Sequence, residues 1–436
     1  IDPRAYSVAS AMRVFGKSDA AFQPRTLIAD HSALNASQRA AVQLCSDSNL
    51  AFVWGPPGTG KSAFARHLAR RLGLETQRLP SLEEGSEALR LAAVHVEDLL
   101  LRPSVKIDYR RLEQSVAGQS IVVTGGGGSI GAEICDRLVT FGAARVLVIE
   151  NSEPTLHAVL EALASRQGQA VVEGRLADVR DRARMFHLIG EFRPDIVFHA
   201  AALKHVPLIE QNWDEGIKTN IFGSVNVADA TVAAGASAMV MISTDKAIEP
   251  VSVLGATKRF AEMYCQALDS NPVNHGNPRR TRLTSVRFGN VLASNGSVVP
   301  KFKAQIEAGG PVTVTHPDMV RYFMTIREAC DLVVTAAIHA LDSQQNDSAV
   351  YLLNMGQPVR IVELAERMIV LSGLEPGHDV DIVFTGIRRG ERLMELLFAR
   401  DEPRSEIGIE GIMAVRPVTP PPAAMLGWLA ALERGL

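Results

Sequence analysis

SIVVTGGGGSIGAEICDRLVTFGAARVLVIE, residues 120–150, decides the fold. An apolar run enters a cluster of glycines, a helical stretch opens at the last of them, and a second apolar run closes on an acid. That is a βαβ unit, and its glycines fall where a dinucleotide fingerprint needs them. Gly125 permits the tight turn, Gly128 lets the backbone approach a pyrophosphate, and Gly131 allows close packing of the helix, whose N-terminus faces the negative charge. Ser129 and Ile130 lie between the last two glycines and belong to the same expected contact. Glu150 stands 19 positions after Gly131 at the end of the second strand, where an acid meets the adenosine ribose, which favours NAD and leaves NADP open. Asp178, at the end of GRLAD, is expected near the adenine, and Ala200, after DIVFH, beside the cofactor.

Outward from this unit, AVVEGRLAD, DIVFHAA, AMVMIST and RLTSVRF read as further strands, separated by segments of helical period such as GSVNVADATVAAGA. The alternation predicts an α/β fold with a doubly wound parallel sheet. From about Gly296 the pattern becomes mixed, which predicts a smaller C-terminal lobe interleaved with the sheet, and PVTPPPAAM reads as a loop or extended arm. The expected division is a P-loop-containing fragment at 1–75, a linker at 76–118, a Rossmann domain at 119–295, and a substrate lobe with the tail at 296–436.

The chain has 436 residues, 47% of them hydrophobic, and a formal net charge of -3, with no basic stripe of the kind a nucleic-acid binder carries. Its four cysteines, Cys45, Cys135, Cys265 and Cys330, form no metal-binding cluster or disulfide framework, so no metal is expected and a reducing cytoplasm is the simplest compartment. No apolar run is long enough to span a membrane and no export signal opens the chain, whose first residue, Ile1, leaves room for sequence upstream.

GPPGTGKS is a full Walker A match, in which Gly55, Gly58 and Gly60 shape the loop, Lys61 is placed for β- and γ-phosphates, and Ser62 for Mg²⁺. With LNASQRAAVQ upstream, the first 75 residues resemble the start of a superfamily 1 helicase. No second strand ends in a metal-holding acid, because VLVIE already serves the dinucleotide unit, so an ATPase lacks its partner motif. A P-loop NTPase remains the reading from a different class.

Five stretches in order, HAAALKHVPLIE, STDKAIEPVSVLGATKRFAE, RFGNVLASNGSVVPKF, MVRYFMTIREA and GIRRGERLMELLF, resemble the polysaccharide-biosynthesis branch of nucleotide-sugar 4,6-dehydratases, which are extended short-chain dehydrogenases. The resemblance runs over roughly residues 79–400. It implies an NAD(P)-dependent internal redox cycle on a UDP-linked hexose such as UDP-N-acetylglucosamine, with water lost across C5 and C6. It makes Asp245 the acid that protonates the departing oxygen and Lys246 the base at C5, which requires a partly neutral lysine. It makes Lys258 the lysine at the nicotinamide ribose and Thr244 the hydroxyl that orients the substrate. Lys204, Asn290, Lys301, Arg321 and Arg388 are implied around the sugar and its diphosphate. His199 and His205 read as loop packing near the cofactor.

The departure is Leu254, four residues before Lys258, where most short-chain dehydrogenases carry a tyrosine. Leucine cannot take the C4 hydroxyl proton, so another group or a water must. Membrane-anchored relatives resemble this chain in having an apolar methionine there, and Tyr264 lies on the wrong part of the helix to substitute. An epimerase, a dehydratase that inverts C5, and a catalytically impaired cofactor-holding remnant stay open as alternatives. The family also implies self-association, and its membrane anchors place the reaction in the cytoplasm or at the cytoplasmic face of a membrane.

Overall fold

Ile121 and Val123 pack on one face of the first long strand and Val122 on the other, all fully buried, and this period of two recurs through its neighbours. A computed structural model describes residues 77–78, 92–93, 105–166, 170–271, 280–342 and 350–436. The P-loop residues Gly55, Gly58, Gly60, Lys61 and Ser62 lie outside them. The chain divides into two compact units, Ile1–Leu101 with Arg367–Asp379, and Arg102–Glu366 with Val380–Leu436. In the first, Gln77–Arg78 pairs antiparallel with Ala92–Ala93.

The second unit opens with helix α1 (Tyr109–Val116) and continues β1 (Ser120–Thr124), α2 (Ser129–Thr140), β2 (Arg145–Glu150), α3 (Glu153–Ala164), β3 (Val171–Leu176), α4 (Arg182–Phe192) and β4 (Ile196–His199). Helices α5 (Val206–Gln211), α6 (Trp213–Gly216) and α7 (Ser224–Ala233) follow, with a π-helical stretch, Ile217–Gly223, between the last two. Then come β5 (Ala238–Ile242), α8 (Val253–Asp269), β6 (Arg282–Arg287), the short β7 (Asn290–Val291) and α9 (Val298–Glu307). The rest is β8 (Val312–Val314), β9 (Val320–Met324), α10 (Ile326–Asp342), β10 (Val350–Leu353), β11 (Pro358–Arg360), α11 (Ile361–Leu371), whose residues from Arg367 onward count with the first unit, β12 (Ile382–Phe384), β13 (Arg404–Glu406), β14 (Ile412–Val415) and α12 (Pro422–Gly435).

Nine strands form one sheet in the order β13-β14-β10-β6-β5-β4-β1-β2-β3, parallel except where β14 and β13 join antiparallel. One apolar face is covered by α1, α2, α3 and α10 through residues such as Leu112, Ile134, Val159 and Val333. The other is covered by α4, α7, α8 and α12 through Met185, Val227, Ala261 and Leu429. This is the doubly wound sheet expected from the sequence. Each fully buried aliphatic side chain contributes roughly 1.5–3 kcal/mol, so the strands read as nearly continuous apolar runs.

The proline-rich tail departs from expectation. Pro421 and Pro422 stand at the cap and first position of α12, where a missing N–H costs nothing, and the helix lays Met425 and Leu429 onto the sheet's second face. Prolines that read as helix breakers here start a helix. Among the described residues no helix is long and apolar enough to cross a membrane.

Candidate active site

Because β1 lies between β2 and β4, the connections leave in opposite directions at this point and open a crevice at the carboxyl ends of the strands. A cleft of about 290 Å³ sits there, lined by Gly125, Gly128, Glu150, Asp178, Ala200, Thr219 and Asn295 among others. Gly125 adopts φ +68°, and a Cβ on it would lie 2.5 Å from the Cα of Ala201. A Cβ on Gly131 would lie 2.1 Å from the carbonyl oxygen of Gly125. Backbone alone therefore fills this turn. No side chain caps α2 at Gly128, which leaves its first-turn amides to an external anion.

Glu150 is oriented by main chain: its carboxylate accepts from the amides of Gly127 at 3.0 Å, Asn151 at 2.9 Å and Ser152 at 3.1 Å. Asp178 also lines the cleft, with Arg180 donating to it from the side chain at 2.6 and 2.9 Å. Burial works to raise its carboxyl, but those bonds hold it below the usual carboxylate range. Ser129 accepts from the Asn295 amide at 3.0 Å and so ties the glycine loop to the chain after β7, while Ile130 packs onto the first core. The glycine cradle, the uncapped helix and the fixed acid are the parts a dinucleotide requires, and they fit one.

The structure adds supports that local pattern did not single out. Asn220, fully buried in the π-helical stretch, bonds to Leu203 main chain in both directions, at 2.9 and 3.1 Å, and to Thr257 at 3.2 Å. It holds the loop after β4 against α8. His199 is fully buried between Thr124 at 2.7 Å and Ser224 at 2.9 Å. Burial first, and Lys258 second, push it down to about 3, so this imidazole is neutral and structural. His205 precedes α5, where Gly296 approaches its ring.

At the carboxyl end of β5, Thr244, Asp245 and Lys246 follow in succession. Thr244 Oγ1 donates to Asp245 Oδ1 at 2.9 Å, and Lys246 Nζ donates to the same oxygen at 3.0 Å. Asp245 is 1% exposed, and its Oδ2 is a buried oxygen with no hydrogen-bond partner among the described residues. Lys258, reaching in from α8, donates to the Ile242 carbonyl at 2.9 Å, and burial pushes its ammonium down to about 8.

Lys246 departs from the expectation of a partly neutral base. Burial would lower it, but Asp245 and Glu395, whose Oε1 lies 3.6 Å from Nζ, outweigh burial and raise it above the ordinary lysine value. Glu395 was not singled out in the sequence, although it stands inside GIRRGERLMELLF. It is 5% exposed and is the nearest thing to a signal that an otherwise apolar LMELLF run carried.

Leu254 is buried with Val206, Ile209 and Val253 in a small apolar cluster. Tyr264 bonds to Asp229 at 2.6 Å from the second core and has its phenol raised by burial and that carboxylate, so it takes no part here.

The five expected substrate groups lie on different elements. Lys301 on α9 and Arg388 are exposed and near one another, since desolvation first and Arg388 second push the Lys301 ammonium down. Arg388 also pairs with Glu391 at 2.5 Å. Lys204 is exposed after β4, and Asn290 is half-buried on β7. Arg321, expected with the others around the sugar and its diphosphate, is buried: it donates to the carbonyls of Val320 at 2.7 Å and Leu393 at 3.1 Å, with Glu395 3.8 Å away. Its fork clamps the loop at 385–398 to β9. Among the described residues no group of acids, histidines or cysteines is arranged to hold a metal.

Comparison with known proteins places the chain in a family. A family model described as "Polysaccharide biosynthesis protein" matches residues 121–417. The chain is 44% identical over 341 residues to "Probable polysaccharide biosynthesis protein EpsC" of Bacillus subtilis, a match that covers 77% of this chain and 55% of that protein. The chain thus spans about half the length of that relative. It is 30% identical over 301 residues to "UDP-N-acetylglucosamine 4,6-dehydratase (inverting)" of Campylobacter jejuni, covering 69% of this chain and 83% of that one. Among solved structures it shares the fold of DesIV, a dTDP-glucose 4,6-dehydratase from Streptomyces venezuelae with NAD and TYD bound, at a TM-score of 0.56 and 19% identity over 72% of this chain and 97% of that one.

Proposed function

The chain belongs to the polysaccharide biosynthesis protein family, and from that premise we propose that it is a nucleotide-sugar 4,6-dehydratase acting on UDP-N-acetylglucosamine or a close UDP-N-acetylhexosamine, with NAD as its cofactor. The observation that carries this reading is the convergence of Thr244, Asp245, Lys246 and Lys258 at the end of β5, in the same sheet edge that holds the glycine cradle. Bound NAD would supply the hydride acceptor and donor that an internal redox cycle requires. Gly125, Gly128 and Gly131 would hold its pyrophosphate and Glu150 its ribose. A carboxylate at Glu150 repels a 2′-phosphate, which favours NAD over NADP.

The chain's own groups account for the proton movements. Asp245 engages Oδ1 with Thr244 and Lys246, and its Oδ2 is buried without a hydrogen-bond partner among the described residues, so it is placed to receive a proton from Lys246 and pass it to an oxygen departing from C6. Lys246, having given that proton to Asp245 across the 3.0 Å bond, is the neutral amine that takes the C5 proton, which restores its ammonium. Lys258 keeps a cation close to neutrality beside the ribose. Leu254 cannot accept the C4 hydroxyl proton, which therefore leaves through another group or a water.

Incubation with UDP-N-acetylglucosamine tests the reading. A product lighter by one water, with a 4-keto-6-deoxy sugar in its NMR spectrum, is the expected result. The C5 configuration in that spectrum separates retaining from inverting dehydration, and a product of unchanged mass with an inverted centre identifies an epimerase. Tight NAD binding with the sugar untouched defeats the proposal and leaves the cofactor-holding remnant that Leu254 favours.

A further inference from the structure

The loop at 385–398 is laid across the strand end by its own backbone. Val320 donates to the Leu393 carbonyl at 2.8 Å, Val320 and Met394 form a parallel bridge, and Arg321 adds a second donor to Leu393 at 3.1 Å. Earlier in the loop, Arg392 donates to the carbonyls of Ile248 and Glu249, and Arg389 lies 3.5 Å from Glu210. These anchors deliver Glu395 to a buried position between two cations, 3.6 Å from Lys246 and 3.8 Å from Arg321. A carboxylate this far from water is costly unless paired, so its placement is determined by those partners.

We infer that Glu395 is a positioning residue, which holds Lys246 as an ammonium against Asp245 and so ties the charge of the proposed base to the seating of this loop. The inference rests on reading Lys246 as that base. The charged groups facing Lys246 are Asp245 from its own turn, Glu395 from the loop and Arg321 from β9. Removing Glu395 leaves one carboxylate against one guanidinium. The ammonium loses support, and Lys246 becomes neutral at a lower pH.

Trace acetylation of the NAD-bound protein across a pH series, with the Lys246 peptide quantified by mass spectrometry, reads this directly and needs no turnover. In Glu395→Gln the labelling midpoint of Lys246 should fall by roughly one pH unit, the lower end of what an opposite charge at this range confers. Glu395→Asp, whose shorter reach draws the carboxylate back, should move it part of the way. The rising limb of product formation from UDP-N-acetylglucosamine should shift with it, which a merely structural defect would not cause. An unchanged midpoint, in whichever variant still binds NAD, overturns the inference. If the wild type makes no product, the dehydratase reading fails while the labelling result still decides the role of Glu395.

Discussion

Lys258 Nζ donates to the main-chain carbonyl of Ile242 across 2.9 Å, from a side chain that is only 5% exposed. The carbonyl belongs to the last residue of β5, so the lysine of α8 is stitched to the strand that presents Asp245. A neutral oxygen compensates an ammonium poorly, and burial lowers Lys258 from 10.5 to about 8, with Glu262 and Cys265 offsetting part of the effect.

The pH dependence follows from the sign of that shift. The unfolded chain keeps this lysine charged until about 10.5 and the folded protein only until about 8. Below the lower value both states are charged and the folded state bears the full cost. Between the two values the unfolded state binds more protons, so the cost is progressively relieved. Lys258→Met should therefore be more stable than wild type at neutral pH, by on the order of 2 kcal/mol once the lost hydrogen bond is counted. The gap should close towards pH 10. Denaturant unfolding of both proteins at the two pH values measures it, and a pH-independent gap would refute the assignment.

The glycine loop makes a contrast that separates folding from binding. A Cβ at Gly131 meets the Gly125 carbonyl at 2.1 Å, whereas one at Gly128 meets only that oxygen, at 3.3 Å. Gly131→Ala should lower the melting temperature and abolish NAD binding. Gly128→Ala should melt close to wild type and still bind NAD at least tenfold more weakly, because its methyl occupies the space the pyrophosphate needs. Calorimetric titration with NAD checks both, and wild-type affinity in Gly128→Ala would remove the cradle from the proposal.

The sheet was legible because its signals are local. The apolar runs IVV and VLVI, and glycines spaced within seven residues, state the βαβ unit without reference to the rest of the chain. Asp245, Lys246 and Lys258 could be named as candidates because the family motifs that contain them are continuous in sequence. Glu395 was not, since its meaning depends on a loop brought back beside a strand more than 140 residues earlier in sequence. The partner of Arg321 was hidden for the same reason: its residue type suits a sugar diphosphate, but the Leu393 carbonyl to which it donates is 72 positions away.

Leu254 tests whether the apolar residue is a filler or a silenced catalyst. It packs with Val206 and Ile209, so Leu254→Met should cost less than about 1.5 kcal/mol, while Leu254→Tyr, which overfills the cluster, should cost about 1–3 kcal/mol. If another group already removes the C4 hydroxyl proton, the tyrosine variant should gain no turnover. A gain of tenfold or more would mark the wild-type chain as impaired and strengthen the remnant reading.

Arg287 and Glu262 form the last and most demanding case. The guanidinium makes two bonds of 2.7 Å to Glu262 and continues to Glu402 at 2.7 and 3.0 Å, with Arg287 1% and Glu262 0% exposed. Burial works to raise the Glu262 carboxyl, but Arg287 overrides it and holds the group below the usual range. A carboxyl lowered in this way stabilises the fold above its unfolded value and loses that contribution as pH falls through its folded one. Glu262→Gln, which removes one of the two carboxylates on a buried guanidinium still paired with Glu402, should cost about 1–3 kcal/mol at neutral pH, and the difference from wild type should shrink in acid. Ser243 donates to the same carboxylate at 2.6 Å, and Glu262 is one of the groups that raise Lys258. The variant should therefore also move the Lys258 labelling midpoint further down. Loss of stability with no movement at Lys258 would confine this network to the core and deny it any part in the site.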